Sequence, residues 1–454
     1  MQRNKCLHSL GGARGARNYL KFTALAASTI ALVKVGNPLD VSLVTSLNGA
    51  PWQAYTTGNT ISLNEGDEIR WRAATVNSRM ADSQNNYHNF VMTGKVAASG
   101  VVMSLLDSTL HSKVLLGNNT LNSLFKNCTS LVSAPSLGFS RVVGSQSMAY
   151  TFQGCTSLVN VPTFEITEFG YQTCFYTFQG CTALVNTPTI NASTNTGCCQ
   201  GMFQGCTALV DASSITLHGI TYGYEFYRMF QGCTALVNTP TIDVSYSSVS
   251  AVYEGMFQGC TSLVDASSLI IREHNGTIRE MFQGCTALVN TPTIELDGVT
   301  YYGCYEVFKG CTSLVNASRI KISGDFNNNA LSGMFESCAK LKIEPQLSMY
   351  NAIGNSIFSR TFRFCELLEE VTLDFPATTS TQWQSNTFQY CLTNCNAITD
   401  ITITWEVWPD SAMVSNMFSW PNKSGVTLHV KPTLDISSLS TYNIPASWVV
   451  VQDA

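Results

Sequence analysis

Seventeen cysteines are the side chains in this sequence most able to do chemistry, as disulfides, metal ligands or redox nucleophiles. Eleven fall in register: Cys128, Cys155, Cys181, Cys206, Cys233, Cys260, Cys285, Cys311, Cys338, Cys365 and Cys395. Their successive gaps are 27, 26, 25, 27, 27, 25, 26, 27, 27 and 30 residues. No two of them show the close spacing of a zinc site. Up to Cys365, each has a Phe three residues before it and a Leu three after it. Cysteine is among the most buried residue types, so this fixed apolar company marks a core ladder, one thiol per repeat, rather than reactive sulfur. Cys6, Cys174, Cys198, Cys199, Cys304 and Cys391 lie off the ladder, and the adjacent Cys198 and Cys199 are the pair that redox chemistry could use. The six histidines, at 8, 88, 111, 218, 274 and 429, keep no pattern with a nucleophile or with metal-spaced carboxylates. No Gly-rich phosphate loop follows a strand, and no Gly-x-Ser-x-Gly elbow is present. The expectation is a non-enzymatic protein with no cofactor and no metal.

Tyrosines suggest binding instead. Tyr171, Tyr176, Tyr222, Tyr224, Tyr227, Tyr246, Tyr253, Tyr301, Tyr302 and Tyr305 all fall in segments that differ between otherwise copied repeats. Those segments are rich in Gly, Ser, Thr and Asn as well. Tyr brings a large amphipathic surface with few rotatable bonds, and this mixture is that of adaptable binding loops. The alternative is an ordinary loop edge with Tyr packed along it. If stacked coils align these segments at ~4.8 Å per coil, they form a ridge of roughly 50 Å.

The elements that position these residues are repeats. Thr177–Ile190 reads TFQGCTALVNTPTI, and near copies begin at Met229 and Met281. A fixed period of this length means a stacked solenoid. Copies with Asn-Thr-Pro (Asn186, Asn238, Asn290) alternate with copies carrying Ala-Ser (Ala212, Ala266, Ala317), so the duplicated unit is two coils. Period-2 apolar pairs such as Ile215/Leu217, Ile294/Leu296 and Ile320/Ile322 predict a strand with one buried face in each coil. The Met-Phe or Thr-Phe ahead of each Cys predicts a short helical or 3-10 turn on the opposite side.

Only 12% of the residues are charged, about half the usual ~25%, and the net charge is −5. Residues 1–17 read as a flexible basic leader. Residues 18–100 carry short β-type runs between Gly, Asn and Pro breakers and predict an all-β, sandwich-like domain. Residues 101–127 then cap the solenoid, 128–425 form the array, and 426–454 close it, with Val426–Val430 and Ser447–Val451 as strands. No apolar run approaches the ~20 residues of a membrane span, no convincing signal peptide is visible, and no nucleic-acid partner is expected.

The Phe-x-x-Cys-x-x-Leu-x-x-x-Pro-x-Ile pattern resembles the BspA-like (Treponema-type) leucine-rich repeats of bacterial surface proteins, over about residues 120–425. The stretch before it, Asn89–Lys95 and Ala98–Gly100 followed by Met103–Asp107, is similar to the segment that leads into such arrays in gut Bacteroidetes and their phages. The resemblance implies an α+β leucine-rich-repeat solenoid that recognises a protein or glycan from a virion or bacterial surface. The N-terminal domain would attach it to a larger assembly, with a homo-oligomer as one form. A structural virion component without an outside ligand is the alternative. Proteins of this family normally carry an export signal, so its lack here favours the phage particle.

Overall fold

The computed structural model describes residues 18–453 apart from 111–112, 162–163, 165, 194–196, 219–222, 244–251, 353, 375–384, 409–410, 412–413, 415, 419–422 and 438, and apart from the side chains of 243, 273–276, 351 and 352. The basic leader, Tyr222 and Tyr246 lie outside the described residues.

Nine strands come first: β1 (Leu20–Ala24), β2 (Ser28–Val35), β3 (Leu43–Leu47), β4 (Gln53–Tyr55), β5 (Ile61–Leu63), β6 (Glu68–Ala73), β7 (Ala81–Ser83), β8 (Asn86–Thr93) and β9 (Val96–Ser99). They form two antiparallel sheets, β9-β1-β6-β3-β4 and β5-β2-β8-β7. Alternate residues Leu20, Phe22 and Ala24 of β1 are buried, and with Ile30, Leu32, Trp71 and Phe90 they fill the space between the sheets.

A repeat solenoid of about 11 coils follows, one coil per ladder cysteine. After β10 (Val114–Leu115), β11 (Leu131–Ser133) and β12 (Arg141–Val142), its strands stack in parallel. They are β13 (Ile190–Ser193), β14 (Ile215–His218) and β15 (Thr241–Asp243); β16 (Ile270–Gly276), β17 (Thr293–Val299), β18 (Ile320–Phe326) and β19 (Gln346–Ala352); and β20 (Glu370–Leu373), β21 (Asp400–Ile403), β22 (Thr427–Val430) and β23 (Val449–Gln452). Register keeps like residues together: Ile294 pairs with Ile320, and Leu296 with Ile322. The two parts share one continuous core. β9 pairs in parallel with β11, and Phe90 stacks on Phe125 at 5.3 Å, heading the phenylalanine column of the array.

The expected helix is overturned, and with it the α+β assignment. Opposite the strands each coil is a run of tight turns, not an α- or 3-10 helix. Within TFQGC of one coil, Gln153 N–H donates back to Tyr150 and Cys155 N–H to Phe152. The alternate amides leave the coil: Phe152 N–H donates to Thr177 and Gly154 N–H to Gln179 of the next coil. A helix would keep all of these bonds within itself. The physical reason is a left-handed residue before each ladder cysteine, glycine in seven coils and Asn127, Ser337, Phe364 and Asn394 in the other four. Gly154, Gly180, Gly205, Gly232, Gly259, Gly284 and Gly310 have φ of +72 to +75°, a conformation that ends helices and that Gly adopts without penalty. Left-handed residues recur every fourth position, as at Gln146, Tyr150 and Gly154. Side chains accordingly run two inward, two outward: Thr151 and Phe152 are buried, Gln153 and Gly154 are not.

The inward residues make continuous columns. Phe125, Phe152, Phe178, Phe203, Phe230, Phe257, Phe282, Phe308, Phe335 and Phe362 stack with centroids 5.1–5.7 Å apart and planes within 13° of parallel. All eleven ladder cysteines are buried and unpaired by disulfides. Each thiol has a job: Cys155 Sγ donates to the Phe125 carbonyl of the coil before at 3.0 Å, and Cys233 Sγ to that of Phe203 at 3.1 Å. Cysteine suits the position as a small apolar side chain with a weak S–H donor.

Candidate functional site

Two outward surfaces differ in kind. On the turn side, each coil presents three outward pairs in rows. The pair nearest the cysteine is Gln-Gly in six consecutive coils. Gln153, Gln179, Gln204, Gln231, Gln258 and Gln283 form a zipper in which each Nε2 donates to the Oε1 of the next. The last donates to Glu306 Oε2 at 2.6 Å. Identical amides in a stack pair with themselves, as in cross-β ladders.

The middle pair changes in every coil. It reads Phe175-Tyr176, Gln200-Gly201, Tyr227-Arg228, Glu254-Gly255, Arg279-Glu280 and Tyr305-Glu306 down the array. Charge gathers beside it at the far end of the zipper. Lys309 Nζ lies 2.8 Å from Glu306 and 3.3 Å from Glu336, Arg363 lies 3.2 Å from Glu336, and Arg279 lies 2.9 Å from Glu280. Burial pushes the Glu254 carboxyl up, and it raises the phenols of Tyr150, Tyr227 and Tyr305 as well.

The ten tyrosines expected in a binding ridge separate into groups. Tyr171, Tyr224 and Tyr301 are the most open, at 46%, 51% and 59% exposure. Tyr176, Tyr227, Tyr302 and Tyr305 are half-buried on the same side. Tyr253, expected in the binding ridge, is instead in the core. It is 2% exposed and packs against Phe226 at 5.8 Å, because it occupies the inward column of Phe226 and Ile278. The faces of several rings are occupied. Tyr150 stacks on Tyr176 at 5.9 Å, Tyr176 covers Gly201, Arg228 lies over Tyr227 at 4.8 Å, and Arg279 lies 5.6 and 5.5 Å from the centres of Tyr302 and Tyr305. These rings therefore offer edges, hydroxyls and neighbouring charge more than flat faces.

Where the chain leaves the turn side it forms a second, uniform surface. Thr129, Thr156, Thr182, Thr207, Thr234, Thr261, Thr286 and Thr312 are exposed in one column. Val132, Val159, Val185, Val210, Val237, Val264, Val289 and Val315 form the next. Six of these valines, Val159 to Val289, are 38–45% exposed. Backbone bonds join them coil to coil, as from Val210 N–H to Val185 and from Val237 N–H to Val210. Beside them runs a polar column: Ser133, Asn160, Asn186, Asp211, Asn238, Asp265, Asn290 and Asn316. Sequence reasoning missed this stripe and the glutamine zipper; for both, the signal was an unchanging residue at a fixed offset from the cysteine.

Among the described residues the off-ladder thiols, Cys174, Cys198, Cys199, Cys304 and Cys391, are core residues; Cys6 lies outside the described residues. Cys198 and Cys199 lie 3.4 Å apart, sulfur to sulfur, and both are fully buried. Among the described residues, no three His, Cys, Asp or Glu side chains group as a metal site, and no helix is long and apolar enough to cross a membrane. Comparison with known protein families finds no match, and comparison with curated proteins finds none either.

Proposed function

We propose that this chain is a non-enzymatic recognition protein of the BspA-like leucine-rich-repeat kind, displayed on a virion or bacterial surface, that binds its target through the turn side of the array. One observation carries this: the middle outward pair differs in each successive coil while the inward Phe, Cys and Leu are copied. Drift alone does not favour such residues, because several stand where glycine is cheaper. Tyr176, Arg228 and Glu280 all have positive φ, at the position held by Gly201, Gly255 and Gly333 in other coils. Strained backbone of this sort concentrates at functional sites. Occupied ring faces and alternating charges favour a protein target over a sugar that needs an open aromatic face.

The test is binding of the purified chain to intact host cells and to a panel of extracellular glycans, with Tyr224→Ala, Tyr301→Ala and Arg279→Ala as variants. A drop of tenfold or more in cell binding by these variants supports the reading. Equal binding by all of them, or none by the parent chain, defeats it. A structural role without an outside ligand is the second reading, and the uniform threonine–valine stripe favours it, since an identical row in eight successive coils suits assembly better than discrimination.

A further inference from the structure

We propose that the threonine–valine stripe is a self-association surface, on which two copies of this chain pack side by side and antiparallel through a two-fold axis. Eight coils present the same row, Thr then Ser or Ala, Leu, Val, then Ser, Asn or Asp. Threonine and valine rows that do not vary along their length match a complement that carries the same repeat. A second copy does so by construction. Its exposed valines form one continuous row, and contiguous exposed apolar rows mark interaction sites. Threonine hydroxyls are committed to the coil before, as from Thr234 to the Thr207 carbonyl at 3.3 Å and from Thr261 to that of Thr234 at 3.3 Å. In the two coils after Val315 the valine position is taken by Lys342 and Glu369, both exposed. Charges placed on a surface disfavour packing against a second copy, and none interrupts the valine column between Val132 and Val315.

The polar column fixes the direction. In a closed two-fold dimer the same patch meets itself. With the axis crossing the stripe between Val210 and Val237, all eight coils overlap and valine meets valine. Asp211 then faces Asn238 of the partner subunit, and Asn186 faces the partner's Asp265. Each carboxylate meets an amide and no two carboxylates meet. Size sets the strength. Eight coils at ~4.8 Å give a strip about 35–40 Å long. At ~10 Å wide this is roughly 400 Å² per copy, half the ~800 Å² of a standard stable interface. The contact is therefore smaller than that of a stable dimer, and association is expected only at high protein concentration.

Sedimentation velocity on the full chain, in a concentration series reaching the millimolar range, tests this. The parent chain should pass from monomer to dimer. Val210→Asp with Val237→Asp should weaken dimerisation tenfold or more. Asn238→Asp, which sets a carboxylate against the partner's Asp211, should weaken it at low salt and regain it at high salt. Melting curves on dilute, monomeric samples show whether each variant is folded. If the aspartates unfold the chain, Val210→Ser with Val237→Ser replaces them, with the same expectation. A chain that stays monomeric throughout, or a dimer that these changes leave untouched, overturns the proposal.

Discussion

Gln231→Glu asks whether the glutamine zipper runs in one direction and stabilises the array. Gln231 accepts from Gln204 and donates to Gln258, and the chain of donors ends on the Glu306 carboxylate. That carboxylate pins the direction, because reversing the amides would turn the Gln283 oxygen toward it. A glutamate at 231 can still accept from Gln204 but aims an acceptor at the Gln258 oxygen. One hydrogen bond is lost, worth about 1 kcal/mol, and two facing acceptors repel. The expected cost is about 1–2 kcal/mol at neutral pH, moderated because the amides are half-exposed. A protonated carboxyl regains an O–H donor. The introduced group therefore has a folded-state pKa above its unfolded value of ~4.3. Its stabilising share is complete below ~4 and is lost as pH rises through the raised value. Urea unfolding of variant and parent, compared at about pH 7 and about pH 4, reads this as a deficit that shrinks on acidification. Gln231→Leu, which deletes both bonds, should cost a similar amount at both pH values. If Gln231→Glu is equally destabilised at both, or not at all, the directional zipper is wrong.

Phe230→Ala removes a ring stacked between Phe203 at 5.5 Å and Phe257 at 5.6 Å; it should cost about 3–5 kcal/mol. Coils contact only their neighbours, so hydrogen exchange should show lost protection near coils 203–257 while β1–β9 and β20–β23 keep theirs; uniform loss would contradict the nearest-neighbour picture. Burial pushes the ladder thiols Cys206 and Cys285, and the off-ladder Cys391, up to about 12, so a thiol reagent should find these buried thiols silent in the native chain and free in denaturant, and a mass map with ladder disulfides would refute the buried-thiol column. Burial raises the Glu344 carboxyl from 4.5 to about 7, against a weaker opposing effect from the Thr372 N–H that both its oxygens accept at 2.8 and 3.0 Å. Its contribution is present below 4.5 and lost as pH rises toward about 7, so Glu344→Gln should flatten the stability profile across that window; an unchanged profile counts against it. Arg228→Gly relieves left-handed strain of about 1–2 kcal/mol, removes a cation–π contact worth about 0.5–1 and adds unfolded-chain entropy worth about 0.4–1, so thermal unfolding should show a change of less than about 1 kcal/mol, and a loss of about 2 kcal/mol or more would refute the strain argument.

The sequence carried the core more plainly than the surface. Phe, Cys and Leu are legible because each keeps the same neighbours at the same offset, which only stacked inward positions require. The turn side was misread because Met-Phe and Thr-Phe look like the apolar turn of a helix. The contrary signal was the glycine before the cysteine in seven coils, each costing a helix interior ~1 kcal/mol. Tyr253 was misplaced because composition says nothing of phase. Only the four-residue alternation of inward and outward pairs sets it beside Phe226 rather than Tyr227. The valine stripe was hidden by the same habit: Leu-Val reads as two core residues until the chain is seen to turn between them.

The two faces answer to opposite demands, and the backbone shows which one is expensive. On the turn side every second amide bonds to the next coil whatever the side chain, so outward identities are free except at left-handed positions. There Gly201, Gly255 and Gly333 show what fits without strain. Tyr150, Tyr176, Arg228, Glu280, Glu306, Arg360 and Tyr390 nonetheless hold φ of +52 to +58° in the same column. At about 1–2 kcal/mol each, a chain selected for stability alone would have glycine at all seven. The threonine–valine stripe has no such column and repeats one solution eight times. Variety kept against a steady energetic pull fits discrimination between targets, whereas uniformity at no conformational cost fits a partner as regular as the array itself.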